Sequence, residues 1–148
     1  MSGLMLALAP YERFIVNGAL LENGGRPSRI RIKDNDARVL RVSDALKPSE
    51  VDTPVKQVYY AIQLLITGDL EIEGTLPAIT AECHKLGAVF EVINPELIPE
   101  LLKRLERQNF YSALCHLRQI IPLEAQLLSM KTPLDAAAER DAPQLKVA

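Results

Sequence analysis

Three positive charges at alternate positions, Arg29, Arg31 and Lys33, carry the clearest chemistry in this sequence. In an extended strand, alternate side chains share a face and stand about 6.8 Å apart, roughly the phosphate spacing along an extended strand of RNA. Such a comb binds a polyanion by releasing its counterions. Arg26, Arg38 and Arg41 lie close by in the chain and add to it. The plainer alternative is the solvated outer face of a sheet. Cys83-His84 and Cys115-His116 suggest zinc, but neighbouring residues on a helix diverge by about 100° and do not converge on one ion. The same divergence argues against a thiol nucleophile with histidine as its base. Glu71 and Glu73 flank an apolar residue without a catalytic setting, and Asn23-Gly24-Gly25 is too short for a phosphate loop. Four of the seven aromatic residues lie in Tyr59-Tyr60 and Phe110-Tyr111. Core packing accounts for Tyr59 and Tyr111, which leaves Tyr60 and Phe110 to face a neighbour or solvent, where they would line a groove for a partner helix. No catalytic residue, metal ligand or cofactor is predicted.

The elements that must position these residues fit within 148 residues, of which 48% are hydrophobic. That suffices for one ordinary core or two small modules, and excludes a large multidomain enzyme. The net charge of −2 is divided unevenly. Eight cations and five acids up to Lys47 give +3, so the remainder carries −5. A nucleic-acid surface must therefore be local. Met1 to Pro10 lacks a basic segment followed by a long apolar one, so no secretory leader is expected and cytoplasm is the expected compartment. No apolar run approaches the 18 to 20 or so residues that cross a bilayer, and no membrane association is predicted.

The alternation of Leu4, Leu6 and Leu8 predicts a first strand ended by Pro10 and Tyr11. Arg13 to Val16 and Ala19 to Glu22 form a hairpin about Asn17-Gly18, a pair suited to positive φ. Ser28 to Lys33 turns Ile30 and Ile32 inward and its cations outward, and Ala37 to Val42 is a fifth strand. A small antiparallel barrel or sandwich follows. Thr53-Pro54 opens a helix running to Thr67, which Gly68 stops. Thr75-Leu76-Pro77 predicts a second helix from Pro77 to Val92, with Ile79, Cys83, Leu86, Val89, Phe90 and Ile93 buried. Asn94-Pro95 begins a third helix, and a fourth starts near Asn109 and is kinked or interrupted at Pro122. The expected fold class is α+β: residues 1–47 form a five-stranded antiparallel β module, 48–131 a bundle of about four helices, and 132–148 a flexible tail.

The run from Leu8 through Ala9-Pro10-Tyr11-Glu12-Arg13-Phe14-Ile15-Val16-Asn17-Gly18 to Ala19 resembles the flagellum biosynthesis repressor family FlbT. So do Ala37 to Asp44, Thr53-Pro54, Tyr59, and Asn109-Phe110-Tyr111-Ser112-Ala113-Leu114, in the right order over residues 4–130 or so. The resemblance implies a post-transcriptional regulator that associates with the 5′ untranslated region of flagellin messenger RNA, lowers translation and favours decay of the message. It also implies a functional link to the flagellin regulator FlaF. Family members include activators, so the sign of regulation stays open. The first module alone is similar to the carbon storage regulator family CsrA, in Met5-Leu6-Ala7-Leu8 and in Val39-Leu40-Arg41. In that family these segments hold a GGA-containing RNA loop, and the analogy carries over Leu6 and Arg41. Leu40 replaces that family's histidine, Pro10-Tyr11 changes its Gly-Glu turn, and CsrA has no helical domain, so its intertwined dimer need not recur here.

These readings combine into a non-enzymatic RNA-binding regulator. Arg29, Arg31 and Lys33, helped by Arg26 and Arg38, would position phosphates, and Arg41 would read a guanine or a splayed base with its planar fork. Six cations imply a log–log salt slope of about −4, at about −0.7 per single-stranded contact. The competing reading is an adaptor whose acidic helical half binds FlaF, flagellin or an export component, with indirect effects on RNA. Either reading admits a homo-oligomer.

Overall fold

The computed structural model describes residues 3–34 and 36–130; the tail expected over 132–148 lies outside the described residues. The fold is α+β. Five strands come first: β1 (Leu4–Leu8), β2 (Arg13–Val16), β3 (Ala19–Glu22), β4 (Ser28–Ile32) and β5 (Val39–Arg41). Four helices follow among the described residues: α1 (Pro54–Thr67), α2 (Ile72–Phe90), α3 (Leu97–Glu106) and α4 (Phe110–Ser129).

The strands make two small antiparallel sheets, one pairing β1 with β4 and the other ordered β3-β2-β5. Asn17 (φ 51°) and Gly18 (φ 85°) both adopt the left-handed conformation that a two-residue hairpin needs. Asn17 also ties this turn to β5, since its Oδ1 accepts from the Arg38 N–H at 2.9 Å. The inward faces bury Leu6, Leu8, Phe14 and Val39 in a small cluster. Leu40, one residue on, points the opposite way and joins the larger cluster among the helices. Strand β5 is therefore the seam between the two cores.

The expected fifth strand ends early, because the chain after Arg41 is drawn onto α1. Val42–Asp44 form a 3₁₀ turn. The Tyr59 hydroxyl donates to the Asp44 carbonyl at 2.7 Å, and the buried Gln63 amide accepts from Leu46 N and donates to Leu46 O at 2.8 and 3.1 Å. Arg118 of α4 donates to the Asp44 carboxylate at 3.0 Å. These contacts hold the connection between strands and helices against α1 and α4.

Helix α1 starts and stops as its sequence requires: Thr53 Oγ1 accepts from Lys56 N, and Gly68 takes φ 88°. The buried Glu124 of α4 supplies a second cap by accepting from Val55 N at 3.0 Å. Helix α2 differs from expectation. It begins at Ile72, and Pro77 lies inside it. Ile72 and Leu76 extend the stripe of Ile79, Cys83, Leu86 and Phe90 at spacings of three and four and pack against the main core. That packing offsets an interior proline, which costs about 3 kcal/mol. At the other end Val89, off the Leu86–Phe90 stripe, is exposed, and so is Ile93, because the helix stops at Phe90 and the chain turns toward α3. Pro122 does not interrupt α4, where Ile120 and Glu124 on either side are buried.

Candidate nucleic-acid interface

The β1–β4 register places Arg31 opposite Met5 and Arg29 opposite Ala7, while Leu6 faces Ile30 and Leu4 faces Ile32 on the other side of the sheet. The alternation predicted from sequence thus becomes an outer face of Met5, Ala7, Arg29 and Arg31. Both arginines are exposed, as are Lys33, just beyond the strand, and Arg26 in the preceding loop. Among the described residues, none of these four side chains forms an ion pair. Their charge faces water, and an apolar patch at Met5, 45% exposed, lies beside it.

The remaining predicted RNA contacts are placed differently. Leu6 is completely buried, so its side chain belongs to the core and offers nothing to a ligand. Arg41 is built into the framework. Its Nη1 donates to Glu12 Oε2 at 2.7 Å, its Nη2 to the Ala7 carbonyl at 3.0 Å, and its Nε lies 3.4 Å from the Tyr111 hydroxyl. One guanidinium therefore joins β5, β1, the β1–β2 turn and α4. The accepting Tyr111 hydroxyl does most to favour its charged form, against the opposing effect of burial, and Glu12 adds to it. Glu12 is in turn held below its ordinary value, first by the Ala9 N–H that donates to it and then by Arg41, with burial opposing. A fork so occupied is not available to read a base. Arg38 is half-buried and donates to the Leu65 carbonyl at 3.3 Å, a helix-end acceptor. Arg13, the other cation of this sheet, pairs across the strands with Glu22 at 2.9 Å.

The aromatic expectation is half corrected. Tyr60 is partly exposed on α1, but Phe110 is buried, because the first residue after the Asn109 cap turns into the helical core. Tyr111 packs against the β cluster. The Cys-His dipeptides split as their angular offset requires: Cys83 is buried and His84 exposed, and His116 Nε2 lies 2.7 Å from the Leu97 carbonyl. Burial pushes the Cys83 thiol up to about 12, which leaves it neutral and unreactive near pH 7. No group of three or more histidine, cysteine, aspartate or glutamate residues able to hold a metal occurs among the described residues.

Sequence reasoning missed the role of Glu12, whose partner Arg41 lies 29 positions away. It also passed over Tyr11, which is 66% exposed with φ 60°. The only available signal was its place after Pro10 in a turn.

Five strands with an exposed cationic face, four helices, and an Arg41 that joins the two define a small α+β protein among the described residues. Its sequence matches the family model described as flagellar protein FlbT over residues 4–128, and the chain belongs to that family. Among curated relatives, the flagellum biosynthesis repressor protein FlbT of Caulobacter vibrioides is 28% identical over 128 residues, covering 84% of this chain and 89% of that protein. The probable flagellum biosynthesis repressor protein FlbT of Rhodopseudomonas palustris is 30% identical over 133 residues, covering 85% of this chain and 98% of its own. No solved structure matches. The segments that carried the family resemblance hold Glu12, Arg41, Asp44, Tyr59 and Tyr111, which tie the strands and their connection to the helices, and Asn109, which caps α4. No helix is long and apolar enough to cross a membrane among the described residues.

Proposed function

We propose that this chain regulates flagellum biogenesis after transcription, by holding the 5′ untranslated region of flagellin messenger RNA on the outer face of the β1–β4 sheet. The family supports a regulator of flagellar biogenesis. The observation that carries the RNA reading is the row of Arg29 and Arg31 opposite Ala7 and Met5, exposed and free of acid partners among the described residues. Arg26 and Lys33 extend that row at its two ends. Phosphates bind there by counterion release, and an occupied leader excludes the ribosome and leaves the message open to nucleases. The chain itself makes or breaks no bond in this scheme. With Arg41 and Arg38 engaged elsewhere, four cations remain, and the salt slope becomes about −3 at about −0.7 per contact.

Crosslinking in cells, followed by sequencing of the bound RNA and mass spectrometry of the crosslinked peptides, tests the proposal. Flagellin leaders should be enriched, and the crosslinks should fall between Asn23 and Lys33. Absence of flagellin leaders, or crosslinks confined to α2 and α3, would contradict it.

One observation favours the adaptor reading: Val89, Val92 and Ile93 are all exposed where α2 ends, with Val92 at 85%. A partner such as FlaF or flagellin seated there would be retained in a pull-down after ribonuclease treatment, whereas an RNA-tethered partner would be lost.

A further inference from the structure

The row of free arginines runs into a loop that presents an aromatic ring. Tyr11 follows Pro10 in the β1–β2 turn, with φ 60°, a left-handed conformation that non-glycine residues seldom adopt. The turn is held in that shape from several sides. Tyr11 N donates to the Gly24 carbonyl at 2.9 Å, Glu12 N to the Ala9 carbonyl at 3.1 Å, and Ala9 N to the Glu12 carboxylate at 2.9 Å. Asn23 stitches this turn to the facing loop, since its Nδ2 lies within 2.9 Å of both the Ala9 and Arg26 carbonyls and its Oδ1 accepts from Ser28 Oγ at 2.7 Å. The phenol end of Tyr11 rests against Gly25, where a Cβ would come within 2.8 Å of the hydroxyl. Two-thirds of the residue nevertheless remains exposed. A large ring, fixed by its backbone and seated on Gly25, the residue before Arg26, thus stands in water just beyond the Leu8–Ser28 end of the β1–β4 pairing.

We infer that Tyr11 is a stacking platform for an unpaired nucleobase, which the ring receives while Arg26, Arg29 and Arg31 hold the adjoining phosphates. This rests on the RNA reading above and adds to it a preference for single-stranded over duplex RNA. Comb spacing alone does not supply that preference, because phosphates are present in both. Stacking on an aromatic side chain tolerates any base, so the platform selects unpaired segments rather than a sequence. Local backbone strain spent on an exposed ring is the kind of arrangement that ligand-binding loops retain.

The test uses the full chain and a flagellin-leader RNA, offered once as a single strand and once annealed to its complement. The sequence contains no tryptophan, so Tyr11→Trp introduces a single tryptophan at the platform, which is excited selectively over the remaining tyrosines. Its emission should be quenched by the single strand and unchanged by the duplex. Tyr11→Asn removes the ring while keeping a residue that tolerates positive φ, and should weaken single-strand binding by about 5- to 150-fold with an unchanged salt slope. Tyr11→Phe should bind as the parent does. Parental affinity in Tyr11→Asn together with unmoved emission in Tyr11→Trp would overturn the platform, even if Arg29→Ala/Arg31→Ala still weakened binding. If the parent binds neither RNA, the interface reading falls and the platform falls with it.

Discussion

On the β1–β4 sheet, Arg29 and Arg31 stand opposite Ala7 and Met5; on the β3-β2-β5 sheet, Arg13 stands opposite Glu22 and Arg41 reaches Glu12. The same residue type serves different ends in adjacent sheets. The difference lies in what the neighbouring strand presents. Where an acid is within reach the guanidinium is paired, at the surface for Arg13 and within the framework for Arg41; where the neighbour is methionine or alanine, it is left without an acid partner among the described residues. Among the described residues the β cluster, with four buried side chains, is small beside the twenty of the cluster among the helices. Polar ties such as Arg41–Glu12 accordingly matter more to the β module than they would among the helices.

The largest expected effect comes from breaking the framework arginine. Arg41→Ala strips Glu12, Ala7 and Tyr111 of their shared donor in a half-buried setting, and should lower stability by about 2–4 kcal/mol in urea denaturation. Arg29→Ala and Arg31→Ala should each stay within about 0.5 kcal/mol of the parent, as exposed substitutions do. Converting the first sheet into a copy of the second sharpens the contrast. Met5→Glu sets an acid directly across from Arg31, at a position already 45% exposed. Stability should hold or rise by about 0.2–1 kcal/mol, while RNA affinity falls and the salt slope shallows by about 0.7 as one contact is neutralised.

Acid should separate the sheets more gently. Because the folded-state pKa of Glu12 is depressed, its ionised form contributes stability that is fully present above its ordinary value of 4.5 and is lost as pH falls through the folded value. Glu12→Gln should therefore flatten the acid limb of a stability–pH curve, with no effect of that kind from changes at Arg29 or Arg31. The smallest effect belongs to Glu22→Ala. It frees Arg13 from a pair whose side chains are 62% and 47% exposed, and the melting transition should move by no more than about 0.5 kcal/mol equivalent.

Local periodicity made much of this legible. Alternation set the strands and put Arg29 and Arg31 on an outer face, Asn17-Gly18 marked the hairpin, and Thr53-Pro54 and Gly68 bounded α1, because each signal acts within a few residues. What escaped depends on distant chain segments. Nothing near Arg41 announces Glu12, so a cation bound for the framework reads like one bound for a ligand. Phe110 reads as free because the entry of α4 into the core at its first residue is a tertiary fact, and Pro77 reads as a helix start because the packing of Ile72 and Leu76 on the main core is tertiary too. At Leu6 the analogy to another family's strand conflicts with the alternation of Leu4, Leu6 and Leu8, and the alternation, which points inward, prevails.

The most direct test of the central claim is a salt titration of flagellin-leader binding by the parent and by Arg29→Ala/Arg31→Ala, followed by fluorescence anisotropy. A ligand held on the β1–β4 face predicts weaker binding by the variant and a log–log slope that moves from about −3 to about −1.5, at about −0.7 per lost contact. Equal affinities and equal slopes would contradict it.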